Sequence, residues 1–285
     1  MSLGRTGPTG LFRNAMLGFG LAFLYIPILS MIVYSFNNSR LVTVWDAANS
    51  PTLRWYVRLM DNEQLISAAW LSVKIAAMTA TGAVVLGTLA AVALVRLGAF
   101  RGRALLSALT TAPLVMPEVI TGIAMLLLFV ALEHWTGWPA GRGVLTITIA
   151  HITFAMAYVT VVVQSRLAVF DQSLEEAALD LGARPLTVFF RITLPIILPA
   201  VLSGWLLAFT LSWDDVVISQ FVSGPGSSTL PVEIFSRVRR GVSPDINALA
   251  TIMVTLVAIG VVVAAVYTRR AERQREREER MARSA

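Results

Sequence analysis

The stretch Leu174–Pro199, "LEEAALDLGARPLTVFFRITLPIILP", decides how the rest of the chain is read. Its first half carries Glu175, Glu176, Asp180 and Arg184, and its second half is almost wholly apolar, with Arg191 near the change. Ser173, just ahead of it, is placed to cap a short helix whose first turn holds the two glutamates, where acids suit the positive end of the helix dipole. Gly182 permits a positive-φ stop, and Pro185 suits the first turn of a second short helix. Leu186, Phe189 and Phe190 fit one embedded face, and Ile192 and Leu194 lead into the apolar run. The pattern predicts two short helices joined by a turn at Gly182, lying along the face of a membrane.

The membrane follows from the flanking sequence. Of the 285 residues, 56% are hydrophobic and only 14% charged, against about 25% charged in a soluble domain. A helix needs about 20 mainly apolar residues to cross the hydrocarbon core. Segments near 14–36, 67–95, 104–132, 143–168, 195–219 and 246–268 meet that need, so the fold class expected is all-α integral membrane with six transmembrane helices. The expected domains are a cytoplasmic N-terminus (1–13), a body of six spans (14–268) with loop 169–194 inside it, and a charged cytoplasmic tail (269–285). The first span reads as a retained anchor: its apolar region is longer than that of a secretory signal, and no small-x-small site follows it.

Charge gives the orientation. With the N-terminus inside, Arg5, Arg13, Arg96, Arg101, Arg103, Arg166, Arg184, Arg191 and seven tail arginines face the cytoplasm, fifteen in all, against seven outside: Arg40, Arg54, Arg58, Arg142, Arg237, Arg239 and Arg240. The positive-inside rule therefore puts both termini in the cytoplasm. Trp45, Trp55, Tyr56, Trp70, Trp135, Trp138 and Trp213 map to the outer interface, with mid-span Trp205 the exception. The net charge of +6 is thus a topology signal, and no nucleic-acid partner is expected. The tail "RRAERQREREERMARSA" reads as a solvated, frayed helix. Lys74, the one lysine, is followed by Ile75, which rules out a G-x-x-x-x-G-K-[ST] phosphate loop. With no cysteine and two histidines, no metal site is expected.

Glu176-Ala177-Ala178, three residues, Gly182, nine residues, then Ile192-x-Leu194-Pro195 reproduces the "EAA" signature without a gap. In this the chain resembles the transmembrane permease subunits of binding-protein-dependent ABC importers. The resemblance implies that loop 169–194 is a coupling element seated in a groove of a separate ATPase, with Glu176 meeting a basic residue there. Close approach falls to Ala177 and Ala178, the turn to Gly182, and the remaining motif positions are Ile192, Leu194 and Pro195.

Ionisable residues inside a membrane cost about 2.5–3.5 kcal/mol each and are functional candidates by default. At ~1.5 Å per residue, Lys74 lies ~10 Å and His151 ~12 Å in from the outer face, Glu118 ~22 Å up from the inner face, and Asp214 and Asp215 near the outer mouth. Three carboxylates facing an inner cavity would favour a cation. Glu118 follows Pro113 and Pro117 in "TAPLVMPEV", where broken helical bonding exposes backbone carbonyls. Trp213 and Trp55 offer cation–π faces. Against this stand plainer readings: Glu118 and Lys74 neutralise each other, His151 is a satisfied core residue, Trp55 is an interface anchor, and only one of Asp214 and Asp215, ~100° apart on a helix, lines a path.

Within the importer family the chain looks most like the putrescine/spermidine permeases, on "YIPILSMIVYSFNNSR" (Tyr25–Arg40), "RWY" (Arg54–Tyr56), "MPEV" (Met116–Val119) and the segment Leu211–Ile252 beginning "LSWDDVVISQFVSGPGSS". In that family the positions matching Trp55, Glu118, Ser212, Asp214 and Asp215 are implicated in polyamine uptake, and Glu176 in coupling; Glu118 stands where an aspartate is also found. The resemblance implies a bacterial inner-membrane subunit with a second permease, two ATPase copies using ATP and magnesium, and a periplasmic solute-binding protein on loops 37–66 and 220–245. This chain itself would bind no cofactor. An importer for another solute, such as an amino acid or ferric ion, and a secondary transporter or channel remain alternatives.

Overall fold

A computed structural model describes residues 8–39, 41, 44–241, 244–255, 258–259 and 266. They form helices and connecting turns, with no strand among the described residues. In order these are α1 (Pro8–Tyr34), α2 (Arg54–Met60), α3 (Glu63–Arg96), α4 (Arg103–Val115), α5 (Glu118–Thr136), α6 (Val144–Val169), α7 (Ser173–Asp180), α8 (Pro185–Val188), α9 (Leu194–Trp213), α10 (Val217–Val222) and α11 (Leu230–Arg240). Residues 244–255 are also helical. Among the described residues five helical stretches are long and apolar enough to cross a membrane: Phe12–Tyr34, Glu63–Arg96, Glu118–Thr136, Val144–Val169 and Pro185–Trp213. Residues 256–257, 260–265 and 267–268 of the sixth expected span, and the tail 269–285, lie outside the described residues, as do residues 1–7.

The expected third span at 104–132 is two helices. Met116 is extended (ψ 136°) and Pro117 follows it. Proline disfavours helical backbone in the residue before it, so α4 stops and α5 restarts at Glu118.

The chain divides into two compact units, residues 64–236 and residues 1–63 with 237–285. In the first, α6 is the central post. Ala80, Ala83 and Ala91 of α3, Ala155, Val159, Val163 and Leu167 of α6, and Ile197 and Ala208 of α9 make one buried cluster. Ile75, Phe129, Ile147, Ala150, Phe154, Ile218 and Val222 make a second, joining α3, α5, α6 and α10. Small residues let these helices approach, as is usual where lipid leaves little hydrophobic drive between helices. At Gly87 the limit is reached: a Cβ there would lie 2.9 Å from Val159 Cβ and 3.0 Å from the Met156 carbonyl oxygen.

In the other unit, α1 presents Phe12, Phe19, Phe23, Leu24 and Ile26 as exposed apolar surface. After it, Asn37 organises the connecting segment. Its amide donates to the Val44 carbonyl at 2.6 Å, and its oxygen accepts from the Asp46 N–H at 2.9 Å. The indole N–H of Trp55 donates to the Asn37 carbonyl at 2.6 Å. A hydrogen bond from Asn49 holds the Asp46 carboxyl below the usual carboxylate range.

Candidate functional site

The expected elbow is present. α7 runs over Ser173–Asp180, the chain turns at Gly182 with φ +84°, and α8 begins at Pro185. Its cap differs from expectation: Asp171, not Ser173, carries the capping oxygen, accepting the Ser173 N–H at 3.0 Å. That bond holds the Asp171 carboxyl below its usual range. α8 passes through a single wide turn, Phe189–Thr193, into α9. Wide turns of this kind often mark functional positions.

No residue of α7 is buried. Glu176, Ala177 and Gly182 are exposed, and Ala178 is half-buried. Ile192 and Leu194 are half-buried, Leu194 against the α3–α6–α9 cluster, while Pro195 is exposed in the first turn of α9. Leu181, which sequence reasoning passed over, stands beside the turn at 90% exposure. An apolar residue at a glycine stop is the signal that could have found it.

At the other end of this unit α9 closes on Ser212, Trp213 and Asp214, and the chain turns into α10. Asp215 points inward and caps α10, accepting the Ile218 N–H at 3.2 Å and the Ser219 N–H at 2.7 Å. The far end of α10 is held as well: Thr146 donates to the Val222 carbonyl at 2.7 Å and Arg142 to the Phe221 carbonyl at 3.3 Å. Asp214 is exposed and forms no ion pair among the described residues.

His151, 2% exposed, joins α6 to this corner. Its Nε2 lies 3.1 Å from the Asp215 carboxylate and 3.1 Å from the Ser219 hydroxyl, and its Nδ1 lies 2.7 Å from the Ser212 hydroxyl. An ionised carboxylate can only accept, so the bonding partners assign a proton to Nε2, while the Ser212 hydroxyl, which can donate or accept, satisfies Nδ1. Ser212 is itself only 6% exposed. The arrangement therefore ties α6, α9 and α10 together.

Glu118 opens α5 and is exposed. One turn later, Gly122 packs so closely on α10 that a Cβ would lie 2.6 Å from Phe221 and 3.4 Å from Ile218 Cα. α5 and α10 thus pack directly on one another. Trp213 stacks on Phe209 at 6.1 Å and Phe209 on Trp205 at 5.4 Å, an aromatic row at four-residue spacing along α9. Trp205, the mid-span exception, donates its indole N–H to Thr81 at 3.2 Å.

Lys74 forms no ion pair with Glu118. Its ammonium lies 5.4 Å from the Trp70 ring, in a cavity of about 470 Å³ shared with Gln64, Ser67, Ser228 and Glu233. In the other unit Trp55 is buried, with the guanidinium groups of Arg54 and Arg58 at 5.4 and 5.9 Å from its ring. No group of His, Cys, Asp and Glu suited to a metal ion occurs among the described residues.

Known proteins resemble this chain in fold and in sequence. A chain in the crystal structure of a bacterial ABC transporter involved in the import of the acidic polysaccharide alginate superposes with a TM-score of 0.70. At 15% identity, it covers 94% of this chain and 99% of that one. A chain of the inward-facing MetNI methionine ABC transporter matches at TM-score 0.57 and 16% identity, over 70% and 92% of the two chains. At such identities the likeness concerns the fold. The putrescine transport system permease protein PotI of Escherichia coli K12 is 57% identical over 272 residues, 95% of this chain and 96% of its own length. The spermidine/putrescine transport system permease protein PotC of Haemophilus influenzae is 43% identical over 258 residues, 90% and 96% of the two chains. The family model for binding-protein-dependent transport system inner membrane components matches residues 83–276, and to that family this chain belongs.

Proposed function

We propose that this chain is one of two transmembrane subunits of an ATP-driven importer for polyamines, putrescine or spermidine, in a bacterial inner membrane. Both termini and the α7–α8 elbow face the cytoplasm, and six spans complete the body, the sixth at 246–268. Two copies of a soluble ATPase hydrolyse ATP with magnesium, one seated on this elbow and one on that of a second, similar permease. A periplasmic solute-binding protein docks on the outer segments, 37–66 and 220–245.

The observation that supports this reading most directly is the exposed elbow. A short helix that buries none of its own residues, with Glu176, Ala177 and Leu181 outward, is a surface awaiting a partner. It carries the EAA pattern at each expected position. ATP-driven closure of the ATPases moves the elbow, and α8 continues into α9, so the movement passes into the spans.

The substrate class rests on the relatives' names and on two exposed carboxylates. Glu118, at the start of α5, and Asp214, at the end of α9 next to Trp213, are the groups we assign to attract a cation. Ser212 and Asp215 act through His151, by holding that corner in shape. Trp55 acts by fixing the segment after α1. Weak holding suits conduction, since a site must release its ion as well as accept it.

The test is uptake of labelled putrescine, with spermidine as competitor, by proteoliposomes holding the assembled complex. Glu118→Gln and Asp214→Asn should each lower uptake about tenfold or more while the ATPase stays bound. A hydrolysis-dead ATPase should stop uptake. Uptake that survives it but collapses with an uncoupler would make the chain a proton-coupled carrier and end this reading.

A further inference from the structure

The sequence places two glutamates side by side at the start of α7, and successive helical side chains diverge by ~100°. They have opposite fates. Glu176 faces out, whereas Glu175 turns back into the protein, its Oε2 2.8 Å from Arg96 Nε, with the two side chains only 12% and 14% exposed. Its Oε1 accepts the hydroxyl proton of Thr193. Arg96 is the last residue of α3, and Thr193 is the last before α9. The Arg96 guanidinium also lies 5.3 Å from the ring of Phe170, which caps the C-terminus of α6. One carboxylate therefore binds α7 to α3 and α9, with the end of α6 alongside.

Packing does not make this link by itself. Behind the elbow lies a cavity of about 330 Å³ whose walls include Val92 and Arg96 of α3, Leu179 of α7, Val188 of α8 and Phe189. The polar contact bridges that space. Separating it would be costly, because Nε and Nη2 of Arg96 are buried and Glu175 is their counter-ion, and a partly buried charge stripped of its counter-ion is poorly tolerated.

We propose that Glu175 is a positioning residue for transport: through Arg96 and Thr193 it converts movement of the docked elbow into movement of α3 and α9. Glu176 holds the engine and Glu175 delivers its stroke. This rests on the reading of the elbow as an ATPase dock, and the two can fail separately.

The experiment uses the full complex in proteoliposomes and compares Glu175→Gln, Arg96→Gln and the exchange Arg96→Glu with Glu175→Arg. ATPase occupancy and basal hydrolysis should match the parent in all three. Stimulation of hydrolysis by loaded binding protein, and solute moved per ATP, should fall about tenfold in the single variants. The exchange should restore a large part of both, which a generally loosened fold would not do. Full coupling in both single variants overturns the inference. So does loss of ATPase from them, which would make Glu175 part of the dock, and so does an exchange variant as defective as the singles. Glu176→Lys serves as the separate control: if it keeps its ATPase, the docking reading falls whatever the Glu175 variants do.

Discussion

Replacing Leu181 with alanine should weaken ATPase docking without weakening the permease. The side chain is 90% exposed beside the Gly182 turn, so the free chain loses almost no packing when it is trimmed. In a complex the same side chain is the most prominent apolar knob of the elbow. Leucine to alanine removes three carbons worth about 0.8 kcal/mol each when buried, up to ~2.4 kcal/mol. That corresponds to a loss of affinity of up to about fiftyfold. The assay is titration of the ATPase onto the permease pair in lipid nanodiscs, with thermal melting of the pair measured alongside. The apparent Kd should rise at least about tenfold, and the melting temperature should stay within about 2 °C. A Kd within twofold of the parent would refute the reasoning, because the knob would then seat in nothing. A large drop in melting temperature would refute it differently, by showing that Leu181 packs within the chain.

The neighbouring aspartates should separate cleanly. Asp215→Ala removes the α10 cap and the His151 partner, costing roughly 1–2 kcal/mol of stability, read as a lower melting temperature. Asp214→Ala should leave melting unchanged and lower putrescine uptake; the reverse assignment would show that the inward and outward roles have been exchanged. Gly87→Val places carbon within contact distance of Val159 and the Met156 carbonyl, and overpacking of that kind costs about 1–3 kcal/mol. Its melting temperature should fall, and Val159→Ala in the same chain should recover part of the loss.

Residues that act through local geometry were readable in the sequence. Gly182 needs only its own backbone freedom to mark the turn, and Pro185 only its own ring to open α8. The long apolar runs announced α1, α3, α6 and α9 because a membrane demands length and hydrophobicity of each helix singly. Pro117 carried the signal for the break between α4 and α5, yet the apolar run continued through it, and hydropathy alone merges the two helices. What escaped was pairing at a distance. His151 meets partners 61 and 64 residues away, and no spacing rule links α6 to the end of α9. Glu175 and Glu176 are chemically identical neighbours; only the rotation of α7 about its axis sends one to Arg96 and the other outward. Asp171 was overshadowed by Ser173, a good capping residue in its own right, because α7 starts at Ser173 itself, one residue earlier than the sequence suggested.

The most direct test of the account is one preparation in which ATP hydrolysis and putrescine movement are measured together, with Glu176→Lys and Gly182→Val introduced at the elbow. The account predicts that the ATPase no longer copurifies with the Glu176 variant, and that hydrolysis in the Gly182 variant proceeds without moving putrescine. Normal hydrolysis linked to normal putrescine movement in both variants would contradict it.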